Sequence, residues 1–173
     1  TDFDALRREL KKQKDSKVSA KVTEKRVYRY FDSWQLTAKR GLIVVDLATK
    51  KVTDLTPSQD RRFLFNNEAL FDLSPDGKRL VLSAGTTPPP FTASENSDIY
   101  LLNVDDPTAP WKNLTADNPE GPDTSPIFAP DGQSILFGRR AGKNTFSVFT
   151  RLTRHHLAAA RTETLSLGGA DLS

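Results

Sequence analysis

The side chains of this 173-residue chain that suggest acid–base chemistry are two aspartates in matching positions. Asp76 and Asp131 each stand between a proline and a glycine, 55 residues apart. A pair of carboxylates can divide the roles of general acid and general base. Each aspartate is also explained by a turn, because an Asp side chain in such a turn accepts hydrogen bonds from the backbone that follows. We therefore predict that both residues are structural.

Two adjacent histidines, His155 and His156, are the next candidates. They lie in a segment with the pattern of a strand, where neighbouring side chains point to opposite faces. We expect that they cannot share one metal ion or one catalytic triad, and we predict structural or surface roles. The sequence has no cysteine and contains no G-x-S-x-G, H-E-x-x-H, phosphate-binding loop or dinucleotide fingerprint. The chain's own residues thus predict no catalytic machinery, no metal site and no cofactor.

Two segments that must position these residues are near copies of each other. Phe71–Ala84 reads FDLSPDGKRLVLSA, and Ile127–Arg139 reads IFAPDGQSILFGR. In each copy proline presets the first turn position, aspartate caps the turn, and glycine takes the position that needs a positive φ. An apolar segment enters the turn and an alternating segment leaves it, so each copy predicts a β-hairpin.

The repeat extends beyond the hairpins. The segment 42–47 (LIVVDL) is echoed by 99–104 (IYLLNV) and, more weakly, by 152–157 (LTRHHL). Each copy is followed by a short strand that ends in Leu55-Thr56, Leu114-Thr115 or Leu165-Ser166. Asn113-Leu114-Thr115 is formally a glycosylation sequon, and we interpret it as part of this repeat. Four short strands in a unit of roughly fifty residues are typical of a β-propeller blade.

The predicted fold class is therefore all-β: a partial β-propeller of about two and a half four-stranded blades with a short N-terminal helix. We assign residues 1–25 to the helix and lead-in, 26–56 to a partial blade, and 69–115 and 125–166 to blades. A propeller needs about four to eight blades to close. Either the chain is a fragment of a larger propeller domain or other chains supply the missing blades, and we favour the fragment.

The charge and hydropathy of the sequence limit the classes of partner that we expect. The net charge of +3 is small and comes largely from the first forty residues, so no nucleic-acid partner is predicted. The helix predicted over residues 4–14 is interpreted as a solvated helix at a blade edge, in preference to a basic nucleic-acid arm. No apolar run approaches the roughly 20 residues of a membrane span. The aromatic cluster Tyr28, Tyr30, Phe31 and Trp34 fits either a pocket or inter-blade core, and core is favoured.

The ordered set of segments resembles the β-propeller of the prolyl oligopeptidase family of serine peptidases. RVYRYFDSW (26–34), GLIVVDLATKKVTDLTP (41–57), FDLSPDG, NSDIYLLNV and NPEGPDTSPIFAPDG follow one another with similar order and spacing. The similarity covers Val22–Arg140 and is closest to the dipeptidyl-peptidase V and acylaminoacyl-peptidase branch. It implies a propeller that caps a C-terminal α/β-hydrolase domain with a Ser-Asp-His triad. That catalytic domain is absent from this chain, so no catalytic residue is carried over.

The resemblance also implies candidate substrate-binding residues. In this branch an acidic propeller residue just before an SPDG strand holds the free amine of the substrate, and the matching position is Glu68. The alternative is that Glu68 is a solvated loop end. Tyr30 and Trp34 are weaker candidates for a substrate wall. The implied partners are short peptide substrates and either the hydrolase domain or the remaining blades, and a periplasmic or secreted location is favoured over a cytoplasmic one.

A second function from another class stays open. Pro-Asp-Gly hairpins also occur in TolB-like propellers, so the alternative function is that of a non-enzymatic scaffold that binds protein partners. The discriminating feature is the sequence downstream in the full gene, where G-x-S-x-G would favour the peptidase. In either case the isolated chain is expected to have no peptidase activity and to associate through its open sheet edge.

Overall fold

A computed structural model of the chain describes residues 3–18, 29–30, 33–34, 41–57, 71–86, 96–142 and 149–165. Its described elements are one helix, α1 (Phe3–Asp15), and twelve strands. The strands are β1 (Arg29–Tyr30), β2 (Ser33–Trp34), β3 (Ile43–Val45), β4 (Val52–Asp54), β5 (Phe71–Leu73), β6 (Arg79–Gly85), β7 (Ser97–Asn103), β8 (Lys112–Asn113), β9 (Asp123–Phe128), β10 (Ser134–Arg139), β11 (Arg151–His156) and β12 (Arg161–Thr164).

The strands form antiparallel sheets in which each strand pairs with its neighbour in sequence. Strands β5 to β8 form one four-stranded sheet, the first blade, and strands β9 to β12 form another, the second blade. Strands β3 and β4 form a two-stranded sheet ahead of them, and β1 pairs with β2. Below, the near face of a sheet points towards the preceding sheet in the chain, and the far face points the other way.

The Pro-Asp-Gly segments form the predicted turns. Asp76 Oδ1 accepts a hydrogen bond from the Lys78 backbone N–H at 3.1 Å, and Asp131 Oδ1 accepts the matching bond from Gln133 at 2.9 Å. Gly77 and Gly132 have φ values of 72° and 66°, a region that favours glycine. The hydrogen bond from the Ser74 hydroxyl, followed by that from Lys78, lowers the pKa of Asp76. The structural interpretation of the two aspartates is confirmed.

The repeat is also visible in the hydrogen bonds of the outer strands. Backbone N–H groups of Leu55, Leu114 and Leu165 donate to the carbonyl oxygens of Leu42, Ile99 and Leu152, each at 2.8 Å. In the first two copies the next residue is a threonine, and its hydroxyl oxygen accepts a hydrogen bond at 3.0 Å. The donors are the backbone N–H groups of Leu42 (to Thr56) and Ile99 (to Thr115). Within the sequon, the Asn113 amide donates to Asp98 Oδ2 at 2.6 Å and Thr115 is fully buried. Both sequon side chains therefore have structural roles.

The core lies between successive sheets. On one side of the first blade, Leu55 and the partly buried Leu42 of the β3–β4 sheet pack against Leu80, Leu82 and Tyr100. The other side is a second cluster, formed by Val81, Ile99, Leu114, Phe128, Ile135 and Phe137. Alternation along β6 and β10 explains this arrangement, because successive residues face opposite sides of a strand. The first blade is thus enclosed between the β3–β4 sheet and the second blade.

The predicted N-terminal helix is present as α1. Its apolar residues Phe3 and Leu10 are 45% and 42% exposed, and its first turn carries Asp4 while Lys12 and Lys14 lie in the last turn. These charges are favourable at their respective helix ends. Within the described residues, no helix has the length and hydropathy needed to cross a membrane.

Candidate functional site

The predicted substrate-binding residues fall largely outside what the structure describes. Glu68 lies outside the described residues. Tyr30 and Trp34 lie in β1 and β2, where Tyr30 is paired with Ser33 and Trp34 with Arg29. The roles predicted for these three residues stay predictions. The described residues with the most elaborate polar geometry lie instead between the two blades.

This polar cluster is centred on Arg139, at the end of β10. Its Nε and Nη2 donate to Asp123 at 3.0 and 3.2 Å, and its Nη1 and Nη2 donate to Asp117, each at 2.9 Å. The Asp123 side chain is fully buried, whereas that of Asp117 is 57% exposed. All three guanidinium nitrogens are therefore used to hold two carboxylates, one inside the protein and one at its surface.

A β-bulge explains how Asp123 becomes buried. Along β9 and β10 the register shifts between Leu136 and Gly138, so that Ser125 and Pro126 together oppose Phe137. Ser125 has a φ of 54°, which is strained for a residue with a side chain. One extra residue in a strand reverses which face the following side chains occupy. Without the bulge, Asp123 would point to the far face and could not meet Arg139 between the blades.

Asp123 also connects the two blades through its backbone carbonyl group. The hydroxyls of Ser83 and Ser97, both in the first blade, donate to the Asp123 carbonyl oxygen at 2.9 and 3.0 Å. The Asn118 amide donates to Asp123 Oδ1 at 3.2 Å and to the Arg140 carbonyl at 2.9 Å. Gly121 permits this close approach, because an added Cβ would lie 2.0 Å from the Arg140 carbonyl oxygen. The segment between the blades is therefore held at Asn118 and at Asp123.

The opposite end of the blade interface is held by Arg79. Its Nη2 donates to the Gly132 carbonyl at 2.9 Å, and its guanidinium lies 5.6 Å from the centroid of the Phe128 ring. This arginine follows one Pro-Asp-Gly turn and contacts the other, so the two turns lie side by side. The interface thus has a cation at each end and an apolar cluster between them.

The electrostatics of the cluster suit a structural role. Burial raises the pKa of Asp123 to about 6, and the hydrogen bonds and charge of Arg139 oppose this rise only in part. Hydrogen bonds from Arg139 lower the pKa of Asp117. Since Asp123 is completely buried, it cannot contact a substrate. Among the described residues, no group of three or more His, Cys, Asp or Glu side chains could hold a metal ion.

Comparison with known proteins bears on the fold. No protein-family model and no curated protein matches the sequence. Of 16 solved chains that match, one is the crystal structure of TolB from Acinetobacter baumannii, with a TM-score of 0.50 and 21% sequence identity. The similarity covers 75% of this chain and 27% of the TolB chain. This chain is a partial β-propeller.

The prediction of an all-β, partial propeller with a short N-terminal helix is therefore confirmed. At 21% identity the likeness to TolB shows the fold alone. The matched region spans about a quarter of the length of the TolB chain. The propeller repeat itself gives further information about the candidate site.

Sequence analysis missed Asp123 and Arg139, although the repeat contains a signal for one of them. Asp123 lies 55 residues after Glu68, the same offset that relates the two Pro-Asp-Gly turns. In the sequence repeat, the predicted amine-binding residue and the buried aspartate are therefore at matching positions. Arg139 lies at the same offset from Ala84, so the residue that neutralises Asp123 has no charged counterpart in the first blade.

The two histidines lie on opposite faces of β11, as predicted. His155 is 4% exposed and its Nδ1 is 2.9 Å from the Thr162 hydroxyl, whereas His156 Nε2 is 2.8 Å from Glu163 Oε1. His155 Nε2 is buried and has no hydrogen-bond partner among the described residues. Burial lowers the pKa of His155, and the charge of Lys112 lowers it further. His155 is therefore a neutral, buried side chain at neutral pH.

This burial predicts a pH dependence of stability. Because the pKa of His155 is lower in the folded protein than the roughly 6.5 of an unfolded histidine, its contribution to stability is present above pH 6.5 and is lost as the pH falls. The expected slope is at most about 1.4 kcal/mol per pH unit. Urea unfolding measures the free energy of unfolding at pH 7.5 and at pH 5.5. The decrease between the two pH values should be smaller for His155→Gln than for the parent chain.

The adjacent histidine supplies the control for this measurement. His156→Gln changes a side chain on the other face of the strand and leaves His155 in place. The free energy of unfolding of this variant should therefore still show the decrease at low pH that His155 causes. Equal losses in the parent chain and in His155→Gln would contradict the prediction.

Proposed function

We propose that this chain is the non-catalytic, substrate-gating propeller part of a serine peptidase that cleaves short peptides from the N-terminus, as dipeptidyl and acylaminoacyl peptidases do. The propeller fold and the ordered resemblance over Val22–Arg140 support this proposal. The best-formed polar cluster of the described residues, around Arg139, is used to join blades. The contribution of the module would therefore be a binding surface and not a reaction centre.

The comparison of matching positions in the two blades carries the proposal. In the second blade the carboxylate of Asp123 is neutralised by Arg139, with Nε and Oδ1 3.0 Å apart. In the first blade the position of Arg139 is occupied by Ala84, a buried residue without charge. By the sequence offset, Glu68 matches Asp123, and the residue that matches Arg139 carries no positive charge. A carboxylate in this situation suits the ammonium group of a peptide's amino end, through a charge-assisted hydrogen bond.

The proposal is tested on the polypeptide that carries this sequence in its source cell. Cell extract would be labelled with a fluorophosphonate, which reacts with activated serines, and the labelled proteins would be digested with trypsin. We expect the peptide Phe63–Lys78 among the fragments of a labelled protein, while the isolated 173-residue chain stays unlabelled. Recovery of this peptide only from unlabelled proteins would contradict the peptidase proposal and favour a TolB-like scaffold.

The role of Glu68 is tested in the same enzyme. Glu68→Gln removes the charge with little change of shape, and it should raise KM for substrates with a free amino end about tenfold or more. Substrates with a blocked amino end should be unaffected. Glu9→Gln, on the exposed helix α1, is the matched control and should change neither KM. An equal effect of Glu68→Gln on both kinds of substrate would contradict an amine-binding role.

A further inference from the structure

The inner edges of the two blades lie on the side where the sheets converge. Strands β5 and β9 contact each other, whereas among the described strands β8 and β12 do not. The sheets therefore come together at β5 and β9 and spread apart towards β8 and β12, as blades do around a central channel. In the described part of the chain, β5 and β9 are each the terminal strand of their sheet. A further blade would pack on a face of a sheet and would leave these two edges towards the channel.

An unpaired strand edge is a binding surface for extended chains. It presents backbone N–H and C=O groups to any chain that reaches it. Many proteins bind peptides in this way, as an added strand whose main chain pairs with the edge. A propeller whose channel admits peptides would capture them along its inner strands unless the donors on those edges were already occupied.

One carboxylate occupies a backbone donor on each inner edge. Asp72 Oδ1 accepts a hydrogen bond from the Leu73 N–H of β5 at 2.9 Å, and Asp72 Oδ2 accepts one from the Phe128 N–H of β9 at 2.8 Å. Hydrogen bonds to an ionised carboxylate are stronger than those between neutral groups. A single side chain thus joins the inner strands of both blades through their main-chain donors.

Both donors belong to the unpaired edges of their strands. The next residues along the chain, Ser74 and Ala129, donate their N–H groups to carbonyl oxygens of the paired strands β6 and β10. Successive N–H groups of an antiparallel strand point to opposite edges. The N–H groups of Leu73 and Phe128 therefore point away from the hairpins, where an added strand would need them.

Other groups of β9 are also withdrawn from pairing. Pro126 has no N–H group, a property that suits proline to an edge strand. The carbonyl oxygen of Asp123 is occupied by the hydroxyls of Ser83 and Ser97. Side chains of the first blade therefore close the inner strand of the second blade at both of its ends.

We propose that Asp72 keeps the inner edges of both blades closed to strand addition. An extended peptide in the channel then meets N–H groups that are already bonded, so it does not pair with β5 or β9 through its main chain. Recognition of a peptide would rely instead on its side chains or chain ends. This inference does not rest on the proposed peptidase function, because any extended chain could pair with an open edge.

Hydrogen exchange of the full chain, followed by NMR, tests the two bonds. Asp72→Ala should accelerate exchange of the Leu73 and Phe128 amides about tenfold or more, because both lose their acceptor. Asp72→Asn retains one carbonyl oxygen and should accelerate exchange of only one of the two amides. Asp105→Ala is the matched control and should change neither, because Asp105 is exposed and lies at the end of β7, in the outer half of the first blade.

Peptide capture tests the consequence. The probe is a short fluorescein-labelled peptide of alternating threonine and valine, and its binding is followed by fluorescence anisotropy. Asp72→Ala should bind the probe, whereas the parent chain and Asp105→Ala should not. The same probe with an N-methylated backbone should bind to none of them, because it lacks the N–H groups that strand pairing requires.

Three outcomes would overturn the proposal. Unchanged exchange in a folded Asp72→Ala would show that Asp72 does not protect these amides. Faster exchange without capture of the probe would show that the bonds are structural and do not guard the edge. Equal binding of the N-methylated probe would indicate a contact other than main-chain pairing. If circular dichroism shows that Asp72→Ala is unfolded, Asp72→Asn is used for both measurements, and it should capture the probe more weakly through the one amide that it frees.

Discussion

Replacement of Arg139 by methionine is expected to lower the free energy of unfolding by about 3 to 5 kcal/mol at pH 8. The substitution keeps much of the side-chain volume but removes the cation that neutralises Asp123, whose side chain is completely buried. A buried carboxylate that loses its partner retains the whole cost of its removal from water. The measurement is urea unfolding of dilute protein, at concentrations where the chain is monomeric.

The pH dependence of this effect distinguishes a lost ion pair from lost packing. The pKa of Asp123 is already raised to about 6 with Arg139 in place, and removal of the guanidinium raises it further. At pH 5 the folded variant can therefore hold this carboxyl in its neutral form, and the destabilisation should be smaller than at pH 8. Equal destabilisation at the two pH values would contradict the electrostatic explanation.

The second carboxylate of the cluster provides a matched control. Asp117 makes two 2.9 Å hydrogen bonds to the same guanidinium, but its side chain is 57% exposed. Exposed ion pairs contribute about 0–1 kcal/mol because water screens the charges. Asp117→Asn should therefore have a much smaller effect than Arg139→Met, despite its comparable hydrogen-bond distances.

Phe137→Ala is expected to lower the free energy of unfolding by about 3 to 5 kcal/mol, as is usual when a buried aromatic residue is truncated. Phe137 is 1% exposed and packs in the cluster between the two blades, where it also lies 5.4 Å below the Arg139 guanidinium. The same substitution at Phe149, which is 57% exposed, should change stability by less than about 0.5 kcal/mol. Similar effects of both variants would show that the inter-blade cluster does not dominate stability.

The blade architecture could be predicted because its signals are local. Each Pro-Asp-Gly turn is specified by three consecutive residues, and the structure shows the expected aspartate hydrogen bonds and the positive φ of Gly77 and Gly132. The outer strands could be predicted for the same reason, since a Leu-Thr or Leu-Ser ending follows each copy of the repeat. Repetition strengthens such signals, because independent copies of one pattern support the same interpretation.

The inter-blade cluster could not be predicted, because it depends on the bulge at Ser125 and Pro126. Regular alternation backwards from Ile127 would place Asp123 on the far face, away from Arg139. The bulge reverses that placement, and a serine before a proline does not by itself specify one. The repeat also gives no sign of the Asp123–Arg139 pair, since the first blade has Ala84 at the position of Arg139. Asp123 and Arg139 are 16 residues apart in the sequence and meet only because β9 pairs with β10 in the shifted register.

The strand order has a consequence for how the chain folds as it is made. Every strand of the two blades pairs with a strand next to it in the sequence, and the longest loops between paired strands, 86–96 and 140–150, have 11 residues each. Local pairings of this kind form quickly, whereas synthesis proceeds at about 5–20 residues per second. The first blade can therefore be complete before Asp123 has left the ribosome. The hydroxyls of Ser83 and Ser97 are then already in place to donate hydrogen bonds to the Asp123 carbonyl. The second blade can therefore assemble on the surface of the first.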